Sequence, residues 1–232
     1  RLSQKFRGEF SLQNLFERPT VAALAEFLTL AKASTEITTL VAERVDRSQD
    51  LVLSFGQEQL WFLAQLDPDS SAYNIPLAVE IRGELDVSAL TKSLELVVQH
   101  HESLRTRFEI RQGKPVQVID PKPTVPVKLV ELGATDPAQQ DRELARILQQ
   151  EASVPFDLAQ ASLLRVRLIH LSFQRHLLLV VVHHIIADDW SLRLFMNELW
   201  HLYDAQVRGV PPRVSAPSIQ YVDFAAWQRK WL

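Results

Sequence analysis

The stretch HLLLVVVHHIIADDWS, residues 176–191, changes character twice and decides the fold. From His176 to His183 it is apolar at alternate and adjacent positions alike. A strand with that pattern is buried on both faces and central in its sheet. Two histidines follow, then a short loop with the carboxylates Asp188 and Asp189. From Trp190 to Arg208, Leu192, Phe195, Leu199 and Leu202 recur at helical spacing, and Gly209 ends the run. The unit is therefore strand, loop and helix. A strand apolar on both sides also needs other elements to cover it.

The flanking sequence supplies them. Leu164–Leu171 reads as the pairing partner of the central strand. Leu77–Ile81 alternates as a strand that stops at Gly83, and Asp86 caps a helix with Leu90, Leu94, Val97, Val98 and His101 on one side. Phe108–Ile110 and Val116–Ile119 flank Gln112-Gly113-Lys114, a hairpin signal. Asp136-Pro137 places a cap and a first-turn proline before a helix running to about Ala152. Gln57–Leu66 is a short helix, Pro211–Pro217 is extended, and Tyr221–Leu232 is a last helical piece. Together these predict an α/β body of two layers, a mixed sheet covered by helices.

Upstream the pattern differs. Arg1–Arg7 resembles a helix end stopped by Gly8, Ser11–Phe16 is one helical turn, and Thr20 caps a helix bearing Val21, Leu24, Ala25 and Leu28. About thirty residues do not build an independent core. Residues 33–50 are polar, without aromatic residues, and read as a linker. A chain opening in mid-helix is expected to be a piece of something longer.

Composition narrows the function. The formal charge is −3 with both signs interspersed, and there is no cysteine. No basic patch marks a nucleic-acid platform. Disulfides and cysteine zinc sites are excluded, which makes a reducing, cytoplasmic setting the expectation. The longest apolar run, Leu177–Val182, is far short of a membrane span.

Chemistry concentrates at His183 and His184. Ligand sites cluster beyond strand ends, and neighbours on a strand point to opposite faces. One imidazole therefore reaches a cleft while the other turns inward. Histidine titrates near neutrality and suits proton transfer. A histidine at a strand end is also, and more commonly, a satisfied structural residue, so the residues alone leave both readings standing. A metal site is disfavoured, because adjacent histidines diverge and no other His, Asp or Glu cluster has ligand spacing. Ser191 lacks the Gly-x-Ser-x-Gly elbow of a nucleophile and sits in the first turn of the helix.

The motif His183-His184-x-x-x-Asp188 followed by Trp190-Ser191 resembles the His-His-x-x-x-Asp-Gly signature of condensation domains in nonribosomal peptide synthetases. Three further stretches resemble that family in order: Ser54–Leu63 (SFGQEQLWFL), His100–Phe108 (HHESLRTRF, with His100 in place of arginine) and Tyr221–Trp227 (YVDFAAW). Tyr73–Pro76 and Pro155–Leu158 are similar to family segments too. The resemblance covers residues 51–232, the amino-terminal lobe of such a domain. Residues 1–32, above all Phe10–Val21, resemble the C-terminal part of a peptidyl carrier domain, with 33–50 between them.

That resemblance implies a chloramphenicol-acetyltransferase-like lobe preceded by short carrier-domain helices. It implies peptide-bond formation between carrier-bound thioesters, with His184 as the catalytic residue. His183, Asp188, Asp189 and Arg105 would support the site, Asp188 by pairing with an arginine or capping the next helix. Phosphopantetheine would arrive on carrier domains, its attachment serine lying upstream of this chain, and no metal is implied. The implied partners are an upstream donor carrier, a downstream acceptor carrier and the C-terminal lobe of the same domain. Without that lobe the chain is expected to be inactive. Asp189 stands where the family has glycine. Its charge beside His184 is expected to alter activity, and as a residue that tolerates left-handed geometry it is expected to cap the helix from Trp190. The alternatives are a degenerate scaffold or carrier-docking lobe, a coenzyme A-dependent acyltransferase and an epimerisation domain. The carrier-like residues 1–32 speak against the acyltransferase.

Overall fold

The computed structural model describes residues 20–23, 25, 42–121, 125, 127–133, 136–160 and 162–231. The chain divides into two units, Arg1–Val41 and Ala42–Leu232. In the first, the Ala23 N–H donates to the Thr20 hydroxyl at 3.2 Å, the cap expected there. The helices expected at Arg1–Arg7 and Ser11–Phe16, and most of the helix after Thr20, lie outside the described residues.

The second unit runs α1 (Phe55–Leu66), β1 (Asn74–Arg82), α2 (Val87–His100), a 3-10 turn (Glu102–Arg105), β2 (Thr106–Arg111), β3 (Lys114–Ile119), β4 (Val127–Glu131), α3 (Pro137–Ser153), β5 (Leu164–Ser172), β6 (Arg175–His183), α4 (Asp189–Arg208) and α5 (Tyr221–Trp231). Four strands form one sheet in the order β1-β6-β5-β4, and β2 and β3 pair separately. β6 is antiparallel to both neighbours, whereas β4 runs parallel to β5, so the sheet is mixed.

Alternation on β6 explains the layers. Leu178, Val180 and Val182 pack with Leu90, Leu94 and Val97 of α2 and with Leu192, Phe195, Leu199 and Leu202 of α4. Leu177 on the other face packs with Ile169 and Leu171 of β5 and with Leu144 and Ile147 of α3. The sheet thus has helices on both sides, one layer more than the sequence pattern suggested. α3, expected as a helix, covers the second face although none of its side chains is fully buried, so its sequence did not mark it as a separate layer. Its packing is reinforced by Glu151, which pairs with Arg167 of β5 at 2.7 Å.

Local signals account for the ends of these elements. Asp86 accepts from the Ala89 N–H and starts α2. Gly209 ends α4 in left-handed conformation (φ 63°), where a Cβ is unfavourable. Gln112 and Gly113 take φ of 51° and 75°, the paired positive values of a tight hairpin turn whose twist matches its strands.

The sequence reading passed over β4. It is five residues long, lies at the sheet edge and leaves Leu129 61% exposed. An edge strand needs no continuous apolar run, so its sequence carries little periodicity.

Candidate active site

β6 ends at His183, and its last residue pairs with Asn74 of β1. The His183 side chain is buried, with the rings of Tyr73 and Phe156 each 6.2 Å away. Its Nδ1 accepts the Ile185 N–H at 3.1 Å. An accepting Nδ1 carries no proton, so the neutral ring holds its hydrogen on Nε2. Burial, then the charge of neighbouring His184, pushes the His183 pKa down to about 4. His183 is therefore neutral at pH 7.

This shift has a sign. Between the unfolded value of 6.5 and about 4 the unfolded chain binds a proton that the folded chain refuses. Stability is therefore expected to fall as pH drops through that window, by roughly 2–3 kcal/mol in all. Denaturant titrations between pH 7 and pH 4 measure this loss, and His183→Gln should flatten the dependence.

His184 begins the loop and is exposed. Its N–H donates to the Tyr73 carbonyl at 2.8 Å, which continues the β1–β6 ladder by one bond. Its Nδ1 lies 3.0 Å from the Ala187 carbonyl oxygen. A carbonyl only accepts, so Nδ1 carries the proton and the neutral ring presents an unprotonated Nε2. The two adjacent histidines are thus held in opposite tautomers. One is locked in the body and the other is solvent-facing with a free lone pair. Val182 faces α4 and His183 faces away, so the alternation returns His184 to the α4 side of the sheet.

The loop is fixed at its far end by Asp188. This residue, not Asp189, is the N-cap of α4, because its carboxylate reaches the Ser191 N–H at 2.8 Å and the Ser191 hydroxyl at 2.5 Å. Those two bonds hold the Asp188 carboxyl below the usual carboxylate range. Asp189 is the first helical residue, and its φ is not positive. The expectation that Asp189 caps the helix is therefore corrected. A side chain one position past the cap no longer reaches the N2 and N3 amides.

The Arg105 guanidinium donates to the Asp120 carbonyl at 2.8 Å, while its buried Nε has no partner. It lines a small cavity with Arg47, Glu102 and Gln117. Gln57 touches the loop, a role the sequence reading missed. Its amide oxygen accepts the Ser54 N–H at 3.1 Å, completing the capping box of α1. Its amide nitrogen donates to the Ile185 carbonyl at 3.3 Å and to Gln117 Oε1 at 3.2 Å. The spacing Ser54-x-x-Gln57 announced the cap but not the second contact.

His100 and His101 share one carboxylate. His100 Nδ1 and His101 Nε2 each lie 2.7 Å from a different oxygen of Glu198. This pairs the C-terminus of α2 with the middle of α4. Among the described residues no group of three His, Asp or Glu side chains is placed to hold a metal ion, and no helix is long and apolar enough to cross a membrane.

Residues 47–232 match the profile of the family described as "Condensation domain". The chain belongs to that family. Its full length is 43% identical to a part of a linear gramicidin synthase from Brevibacillus parabrevis, amounting to 4% of that protein. It is likewise 36% identical to a part of the dimodular nonribosomal peptide synthase of Bacillus subtilis strain 168, 9% of that protein. The first condensation domain of the CDA synthetase superposes with a TM-score of 0.72 at 27% identity, over 80% of this chain and 46% of that one. The X-domain from teicoplanin biosynthesis gives 0.73 at 31% identity, over 82% and 40%. The chain thus spans a small share of its curated relatives and under half of these two solved chains. The mixed sheet covered by helices is the chloramphenicol-acetyltransferase-like fold of this family.

Proposed function

We propose that this condensation lobe carries the base side of a site that joins carrier-bound aminoacyl or peptidyl thioesters through a peptide bond. The observation that carries the reading is the His184 ring, exposed, with Nδ1–H committed to the Ala187 carbonyl. A ring so held has one orientation and one tautomer, and it offers Nε2 for a proton.

The steps balance without an added reagent. The acceptor amine attacks the donor thioester carbonyl, forming a C–N bond and a zwitterionic tetrahedral centre. Nε2 takes a proton from the new ammonium nitrogen. The C–S bond then breaks, and the proton passes to the departing thiolate. A free α-amino group has a pKa near ~8, so a fraction is neutral at pH 7. His184 therefore has two tasks, to orient the amine and to remove the proton released as the bond forms. Asp188 and His183 act as positioning residues. The first pins the loop to α4, and the second seats the strand end in the body.

The thioesters are substrates here, delivered on the phosphopantetheine arms of donor and acceptor carriers. Residues 1–32 are assigned to the end of a carrier domain and 33–50 to the linker, a reading supported by the whole-length match to the linear gramicidin synthase. The second wall of the site is assigned to the C-terminal lobe of the same fold, without which this lobe is inactive. A cytoplasmic location accords with the absence of cysteine. Asp189 in place of glycine motivates a non-catalytic scaffold reading. Its ordinary helical backbone and the intact His184 geometry favour catalysis instead.

The test is His184→Ala in the intact module with both carriers loaded, scored as dipeptide on the acceptor carrier. Undiminished product would overturn the assignment.

A further inference from the structure

Beside the His184 loop, an open groove of about 530 Å³ runs between edge strand β1 and helix α4. Its volume is typical of small-molecule sites. Ile75, Leu77 and Val79 form one side, and Met196 and Trp200 form the other. All five are only half-buried, so apolar surface is left uncovered. Two charges stand in the lining, Asp189 and, one turn further along α4, Arg193. Both are exposed, and neither is held by an ion pair among the described residues.

The groove starts where the candidate base stands. Asn74 is the strand partner of His183, and Ile75 is the next residue along β1. Asp189 follows the loop that His184 opens. By strand alternation Ile75 and Leu77 share the α4 face to which His184 returns. The carboxylate is thus at the histidine end of the groove, and the guanidinium is about 6 Å farther along the helix axis.

An aminoacyl thioester matches this charge order. Its carboxyl is esterified, so the α-ammonium is its one obligatory charge, and it sits next to the side chain. We infer that Asp189 and Arg193 set acceptor specificity: Asp189 pairs with the α-ammonium of the incoming aminoacyl thioester, its uncharged apolar side chain lies in the groove, and Arg193 turns away basic side chains. This deepens the proposed condensation reading and rests on it. Rejection by a like charge is a common route to selectivity. An adjacent carboxylate favours the charged amine, so the pairing holds the acceptor in place and leaves a smaller neutral fraction to attack.

The experiment uses the intact module, with the acceptor carrier charged with leucine or with lysine. The wild type is expected to transfer to leucine about tenfold faster than to lysine. Arg193→Ala should erase most of that preference. Asp189→Asn should raise the KM for the leucyl carrier about tenfold and move the rising limb of the pH profile to lower pH, since the amine loses its proton more readily. Both side chains are exposed and Asp188 still caps α4, so melting temperatures should match the wild type. An unchanged leucine-to-lysine ratio in Arg193→Ala, together with an unchanged KM in Asp189→Asn, would overturn the inference. His184→Ala, run alongside, separates the two levels. If it abolishes product while the groove variants behave as wild type, only the groove assignment falls. If product is undiminished, the proposed role of His184 falls, whatever the groove variants do.

Discussion

Replacing His184 with alanine in the intact synthetase module is expected to slow dipeptide formation by about 10²–10⁴-fold, the usual range for a general base. The size of the loss distinguishes two contributions. Holding amine and thioester together is worth at least as much as proton transfer, and most of it survives in a module whose carriers still dock. If His184 removes the proton, the loss should be near the upper end. If it only orients the amine, the loss should sit near the lower end. His184→Gln, whose amide oxygen can still accept the amine N–H from near the Nε2 position, should then recover part of the rate. Quantifying product on the acceptor carrier across pH 6–9 makes the distinction. His183→Ala should act differently. It removes a buried ring that accepts the Ile185 N–H, so its first consequence is a lower melting temperature.

The second large effect concerns stability. Arg47, in the segment before α1, donates to Glu102 at 2.7 Å and to Asp223 at 2.5 Å. The Asp223 side chain is fully buried. Burial alone would raise its carboxyl, but bonds from the Arg47 guanidinium and from the Gln220 and Val45 N–H groups outweigh it, and the carboxyl is held below its ordinary value. Removing one partner of a buried pair leaves an uncompensated charge and costs roughly 3–5 kcal/mol. Arg47→Ala is expected to lose about that much in denaturant unfolding. Asp223→Asn in the same background should restore part of it. The pH dependence follows from the lowered value. The wild-type contribution is fully present above the unfolded carboxylate range and is lost only as pH falls through the folded pKa. Without Arg47, burial dominates, the carboxyl is raised, and the destabilisation should shrink on acidification. A loss under about 1 kcal/mol would show that the network is no more than a surface pair.

The fold was legible wherever a local rule acts alone. The apolar run 176–183 had to be a central strand, and Asp86, Asp136 and Gly209 mark helix ends through chemistry within a few residues. The hairpin at Gln112-Gly113 is of the same kind. What stayed hidden depends on distance or on the main chain. Residues 42–50 look like linker because polar, unpatterned sequence carries no sign of its partners. Arg47 finds Glu102 and Asp223 far along the chain. β4 is hidden because an exposed edge strand needs little hydrophobic patterning. At the site, the sequence offered two histidines and two aspartates, and strand alternation separated the histidines. It did not separate the aspartates. Which one caps α4 is decided by a single residue of helix phase, and Asp188 takes that place. Nor did it reveal that the acceptor fixing His184 is the Ala187 carbonyl, since a backbone oxygen has no residue type to read.

Nitrogen NMR of the side chains of selectively labelled histidine in the intact domain tests the central claim most directly. Near pH 8, His184 should carry its proton on Nδ1 and leave Nε2 bare, beside His183 with the opposite arrangement. A His184 ring protonated on Nε2, or one exchanging freely between tautomers, would contradict the claim.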